Sequence, residues 1–192
     1  MPDKLAKHIH SLPRVAHQHQ HHKHHHHREN EISLIPNEDL AVRLIEGYLP
    51  TIVIDTRDDD VNGGQIRDTI FCPERSFGPD QVSCLIQHAN ERRRMCNTGI
   101  SNHKCYVVFY CLDSVKKSLR CAHRFHQAVR ERGECNGICV KVLRGGAESW
   151  FRSYSKDHRL VQDFDDQRWS HACKDDPLNI EAIVKKEQVL KE

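Results

Sequence analysis

Cys111 is the residue of this chain best placed to do chemistry. It follows the apolar run "CYVVFY" (105–110), and six residues later Lys117 opens a stretch with helical spacing, "KSLRCAHRF" (117–125). A cysteine between a strand and a helix sits where open α/β sheets bind ligands, beyond the carboxyl ends of their strands. Successive backbone N–H groups in that loop (Leu112, Asp113, Ser114, Val115, Lys116 and Lys117) make a nest for an anion, and the helix N-terminus adds positive potential. Such a field favours the thiolate, which is the nucleophilic form of cysteine. A thiolate at the floor of an oxyanion cradle attacks phosphorus or arsenic, or accepts a sulfane sulfur. Lys117 then offsets oxyanion charge, and Asp113 is the candidate acid for the leaving oxygen. The plainer readings are a buried strand-end thiol for Cys111 and a solvent-facing lysine for Lys117, with Lys116 beside it.

The flanking sequence supplies elements to hold this loop. "PNEDLAVRLIEG" (36–47) has helical spacing, with Asn37 as N-cap, Leu40, Leu44 and Ile45 on one face and Gly47 as the stop. "TIVID" (51–55) is a short apolar run ending in charge, which suits a buried parallel strand. Val82, Leu85, Ile86 and Ala89 share a helical face within 80–94, and Leu119, Ala122, Phe125 and Val129 share another after the cysteine. "ICVKVL" (138–143) predicts a strand, followed by a turn and a short helix over 147–154; a last helix is expected over 178–190. Strands alternating with helices imply an α/β domain with a mainly parallel central sheet. Asp55 and Arg57 are expected to hold the end of their strand. Gly63, Gly64, Gly145 and Gly146 are expected as turn glycines that permit positive φ.

Composition bounds the partners. The formal charge is +2, with 29 basic and 27 acidic residues interspersed, which argues against a nucleic-acid surface. No apolar run approaches the roughly 20 residues of a membrane span, and no apolar leader opens the chain, so neither membrane nor signal peptide is expected. The nine cysteines are scattered, and Cys72, Cys105 and Cys139 lie in apolar runs, which suits reduced thiols in a cytoplasmic or nuclear protein. Cys135 and Cys139 have no second pair at metal-binding spacing, so no metal and no cofactor is expected. Mean hydropathy is −0.71, lowered by residues 1–31, where "HQHQHHKHHHH" (17–27) holds half of the sixteen histidines. That tract is expected to be a disordered tail, with loose binding of zinc, nickel or copper as the functional alternative. The expected division is thus a tail over 1–31, one domain over 32–170 and a helical tail over 171–192.

Three segments taken together, "VIDTRDDDVNGGQIRD" (53–68), "FYCLDSVKKSLRCAHRF" (109–125) and "VKVLRGG" (140–146), resemble a rhodanese-like domain. The similar branch is that of the M-phase inducer phosphatases and the eukaryotic arsenate reductases, whose loop is cysteine, five residues, arginine. Cys111, Ser114, Cys121, Ala122, Arg124 and Phe125 match that pattern when Lys117 stands on the arginine position. The resemblance covers roughly residues 32–166 and extends into "LVQDFDDQRW" (160–169), which is similar to the closing segment of that domain. It implies a three-layer fold with a mainly parallel sheet, and a cysteine-dependent phosphatase or arsenate reductase. The substrate would be a phosphoprotein or a small oxyanion, with glutathione or another thiol as a possible co-substrate. The departures are specific. Lysine is a point donor where arginine binds two oxygens at once. Ser118 and Leu119 replace Gly-Pro, Tyr110 replaces histidine, and Thr56 replaces a second cysteine. A catalytically inactive module that binds a phosphorylated partner is the alternative function, and a sulfurtransferase is a further one.

Overall fold

The computed structural model describes residues 31–58, 63–96, 103–113 and 116–172. Strand β2 (Thr51–Asp55) is buried at every position, and β5 (Cys105–Tyr110) at every position but Tyr106. Runs so apolar fit only a sheet covered on both faces. The two strands lie side by side and parallel, with Thr51 opposite Tyr106 and Asp55 opposite Tyr110. On the far side of β5 runs β6 (Ile138–Leu143), and the short β1 (Ser33–Ile35) and β4 (Ile70–Phe71) complete the order β1-β6-β5-β2-β4. Every pairing in this sheet is parallel. A separate antiparallel pair joins β3 (Gln65–Ile66) to β7 (Val161–Gln162).

Side chains alternate across the pleat, so the sheet divides the core in two. Ile52, Ile54, Val107 and Phe109 face one layer, made by α2 (Pro79–Cys96) and α3 (Lys117–Glu131). Val53, Val108 and Tyr110 face the other, made by α1 (Asn37–Glu46), α4 (Gly146–Tyr154) and α5 (Asp166–Ala172). Helix α3 buries Cys121, Ala122, Phe125 and Val129, the 3.6-residue stripe that fastens it to the sheet. Burying one such large side chain contributes roughly 1.5–3 kcal/mol.

Two details of α1 differ from the sequence expectation. Pro36, not Asn37, is the N-cap: its carbonyl already accepts the Leu40 N–H at 3.2 Å. Asn37 is instead the first helical residue, and its amide turns inward to donate to Ser149 Oγ at 2.8 Å. Ala41 joins Leu40 on the buried face, whereas Ile45 in the last turn is exposed. The expectations for the histidine-rich tract and for a last helix over 178–190 fall outside the described residues.

Candidate active site

Cys111 is the first residue past β5, between the two strands that flank it, and α3 begins at Lys117. Its side chain is almost fully buried. The backbone on either side is held from two directions. Thr56, just past β2, donates both its N–H (2.9 Å) and its hydroxyl (2.8 Å) to the Tyr110 carbonyl. The first N–H groups of α4 reach the loop, Ala147 to the Cys111 carbonyl (2.9 Å) and Glu148 to that of Leu112 (3.1 Å). These are the donors that a helix N-terminus leaves without intrahelical partners. In a trans peptide the N–H opposes its carbonyl. With both carbonyls drawn to α4, the N–H groups of Leu112 and Asp113 face away from it, the orientation an anion cradle needs. Gly145 and Gly146, at φ +70° and +57°, let the chain turn from β6 into α4 at this point.

Two polar side chains approach the sulfur. Cys111 Sγ donates to Asp113 Oδ1 at 3.7 Å, and Ser118 Oγ stands 3.4 Å from it. With the thiol proton directed at Asp113, the serine hydroxyl is left to donate to sulfur. In the sequence Ser118 stands out only as a departure from Gly-Pro. Its signal was its place one residue past Lys117, in the first turn of a helix whose N-terminus faces the cysteine. Of the other loop residues, Leu112 is half-buried, Lys116 is exposed, and Ser114 and Val115 lie outside the described residues.

Lys117 makes an ion pair. Its Nζ lies 3.0 Å from Asp58 Oδ2, and Asp58 Oδ1 accepts the Arg75 N–H at 3.3 Å. Desolvation works against ionisation of Asp58, yet Lys117 and Arg75 hold its carboxyl below the ordinary 3.8. A second pair runs parallel to the first: Arg120 grips Glu74 with two hydrogen bonds of 2.6 and 2.8 Å. The hydrogen bonds from Arg120 hold Glu74 below its ordinary 4.5. Asp58 was missed from sequence. The signal was the acidic run "DDD" (58–60) just past β2, because residues that follow adjacent parallel strands meet at the same edge.

Beneath the loop lies a buried ionic cluster. Asp55 and Arg57 are both inaccessible to solvent and paired at 2.6 Å. The Tyr110 hydroxyl donates to Asp55 Oδ2 at 2.8 Å, and Arg57 Nη2 donates to the Gly64 carbonyl at 2.8 Å. Gly64 adopts φ +118° to present that carbonyl. Burial opposes the charge on Arg57, but the hydrogen bonds and charge of Asp55 outweigh it and hold the guanidinium above its ordinary value. Burial, then the Asp55 charge, pushes the Tyr110 phenol up. Arg57 Nη1 has no hydrogen-bond partner; the guanidinium lies 5.5 Å from the Tyr110 ring centroid and 6.0 Å from that of Phe151. Tyr110 and Thr56 are thus both occupied with backbone or carboxylate. Among the described residues, no group of three or more His, Cys, Asp or Glu side chains is arranged to hold a metal ion.

No protein-family model and no curated protein matches this chain. Solved structures do. A yeast protein tyrosine phosphatase of the rhodanese family superposes with a TM-score of 0.65 at 21% identity, covering 72% of this chain and 96% of that one. A second Saccharomyces cerevisiae structure, described as a homologue of single-domain rhodanese, gives 0.64 at 22% identity over 73% and 92%. The As-Sb reductase of Leishmania major gives 0.56 at 26% identity over 67% and 82%. The fold is that of a rhodanese-like domain. Within that class it resembles the phosphatase and arsenate reductase branch.

Proposed function

We propose that the domain acts on an oxyanion or its ester through Cys111, as a cysteine-dependent phosphatase or an arsenate reductase. The observation that carries this reading is the surroundings of the sulfur: Asp113 on one side, Ser118 on the other, at a loop whose first N–H groups are turned from α4. The thiol proton passes to Asp113, leaving a thiolate that Ser118 steadies. The sulfur attacks phosphorus, the bond to the leaving oxygen breaks, and Asp113 returns the proton to that oxygen. Water then cleaves the sulfur–phosphorus bond, releasing phosphate. With arsenate, the sulfur displaces a hydroxyl as water. One external thiol such as glutathione then attacks the Cys111 sulfur, and the sulfur–arsenic bond breaks with its electron pair leaving on arsenic as arsenite. A second thiol frees Cys111 from the mixed disulfide, so that two thiols supply the two electrons and leave as their disulfide.

The Asp58–Lys117 pair favours a second reading, a module that binds a phosphorylated partner and turns it over slowly or not at all. A lysine already held by a carboxylate is a weaker clamp than a bidentate arginine. Losing one oxyanion donor commonly costs about 2.7–4 kcal/mol, a rate loss on the order of 10²–10³. Turnover of an aryl phosphate, and of arsenate with glutathione, separates the readings. Slow activity abolished by Cys111→Ser, and raised at least about tenfold by Lys117→Arg, supports the enzyme. Background rates in both Lys117 forms would leave the binding module.

A further inference from the structure

Where α1 lies against β1, β6 and β5 there is a cleft of about 310 Å³ lined in part by Leu34, Val42, Arg43, Tyr106 and Lys141. Tyr106, the second residue of β5, stands about 16 Å along the strand from Cys111, which follows its last, and β1 lies two strands away from β5 across β6. Arg43 is fixed in this cleft. Its Nε donates to Thr51 Oγ1 (3.0 Å), its Nη2 to the Pro50 carbonyl (3.2 Å), and its guanidinium lies 3.6 Å from the Tyr106 ring centroid. Lys141 Nζ lies 5.2 Å from the same ring and donates to Ser33 Oγ at 2.7 Å. All these acceptors are neutral, and no ion pair joins either cation to a carboxylate among the described residues. Burial holds the Arg43 guanidinium below its ordinary value, since nearby Tyr106, Cys105 and Cys139 offset it only in part. A half-buried, preorganised cation without a counter-ion is unusual for a purely structural residue, whose charge is normally paired.

We propose that this cleft is a second binding site, which takes a small organic carboxylate. The acid group seats between Arg43 and Lys141, and the apolar body lies against Leu34, Pro36 and Val42. Arg43 keeps N–H donors beyond the two bound internally, in the planar fork that suits a carboxylate. Asp39, on the rim one helical turn before Arg43, limits the charge the site accepts and disfavours dianions such as phosphate. The free α-carboxylate of a peptide carries the same chemistry as a small acid.

Titration of the full chain, followed by amide and arginine Nε–H resonances at pH 8 where ordinary histidines are neutral, tests this. The probes are benzoate, its neutral counterpart benzamide, inorganic phosphate, and a short apolar peptide with a free or an amidated C-terminus. Benzoate is expected to shift Leu34, Val42, Arg43 and Tyr106 saturably at millimolar concentration, and benzamide is not. Saturation by the free but not the amidated peptide at lower concentration identifies a chain terminus as the source; benzoate alone identifies a small acid. Lys141→Gln should weaken binding at least tenfold, as should Arg43→Gln. The Lys141 ammonium has one hydrogen bond, to Ser33 Oγ, besides its approach to the Tyr106 ring, so its substitution keeps the test open even if loss of Arg43 destabilises the fold. Absence of saturable shifts by about 10 mM, shifts confined to the Cys111 loop, unchanged binding in Lys141→Gln, or phosphate binding as tightly as benzoate would each overturn the proposal.

Discussion

Residue by residue, the site turns on which charge faces which. Asp58 holds Lys117 at 3.0 Å; if the proposed function holds, an oxyanion must compete with this carboxylate for the cation. Asp58→Asn removes that competition while its amide oxygen still accepts the Arg75 N–H. The expected outcome is a several-fold lower KM for an aryl phosphate with little loss of stability; an unchanged or higher KM would show that Lys117 does not meet the substrate. Ser118 belongs to the same set. Its hydroxyl stands 3.4 Å from the sulfur and can donate to a thiolate, and a typical hydrogen bond contributes about 0.5–1.5 kcal/mol, more to a charged group. Ser118→Ala should therefore slow alkylation of Cys111 by iodoacetamide several-fold at near-neutral pH, read by mass spectrometry of the modified thiol. Cys105 and Cys121 do not compete in that measurement, because burial pushes each up to about 12.

Among the elements, α4 does more than cover the sheet. Its first turn draws the Cys111 and Leu112 carbonyls outward, and that turn exists because Gly145 sits at φ +70°. A Cβ at this position would lie 2.6 Å from the Ser149 Cβ, in a backbone region that L side chains avoid. Gly145→Ala is expected to cost on the order of 1–3 kcal/mol. In a chain of this size that is a fall in Tm of several degrees. If the α4 donors shape the cradle, the same substitution lowers kcat more than its stability loss explains, measured well below Tm. The parts of this level that were legible in sequence are the long ones. "CYVVFY", "TIVID" and "ICVKVL" show as continuous apolar runs because their strands are covered on both faces. β1, β3, β4, β7 and the 3-10 turn Glu74–Ser76 are two or three residues long, too short to display any period.

Across the whole molecule, ionisation sets a window of stability. Asp58 and Glu74 have carboxyls held below 3.8 and 4.5, so each stabilises the fold above those values and stops doing so as pH falls through its folded pKa. Cys105 and Cys121 are raised from 9.0 to about 12, and Tyr110 is raised from 10.0. Above pH 9 the unfolded chain loses protons that the folded chain keeps, so stability declines again. Denaturant midpoints are expected to form a plateau between about pH 5 and 9 and to fall on both sides; a midpoint still rising from pH 9 to 10 would contradict the sign. Among the described residues, the Asp55–Arg57 pair is an ion pair with both side chains fully buried, joined by Tyr110. Asp55→Ala leaves Arg57 buried without its counter-charge and should cost about 3–5 kcal/mol.

Pattern alone was enough for the α/β class, the parallel central sheet and the strand-to-helix loop at Cys111, each of which rests on local periodicity or on spacing along the chain; the rhodanese-like resemblance rests instead on the motifs of residues 53–68, 109–125 and 140–146. What tertiary structure alone decided are the partners. Lys117 meets Asp58, Arg120 meets Glu74, and the Cys111 and Leu112 carbonyls meet Ala147 and Glu148, all from segments distant in sequence. Asn37, expected as a cap, proved to be a tie to Ser149. The physical reason is the same in each case. Hydrophobic period tells which face of an element turns inward, whereas a hydrogen bond or ion pair depends on ångström-scale placement that exists only after β2, β5 and β6 have been set side by side.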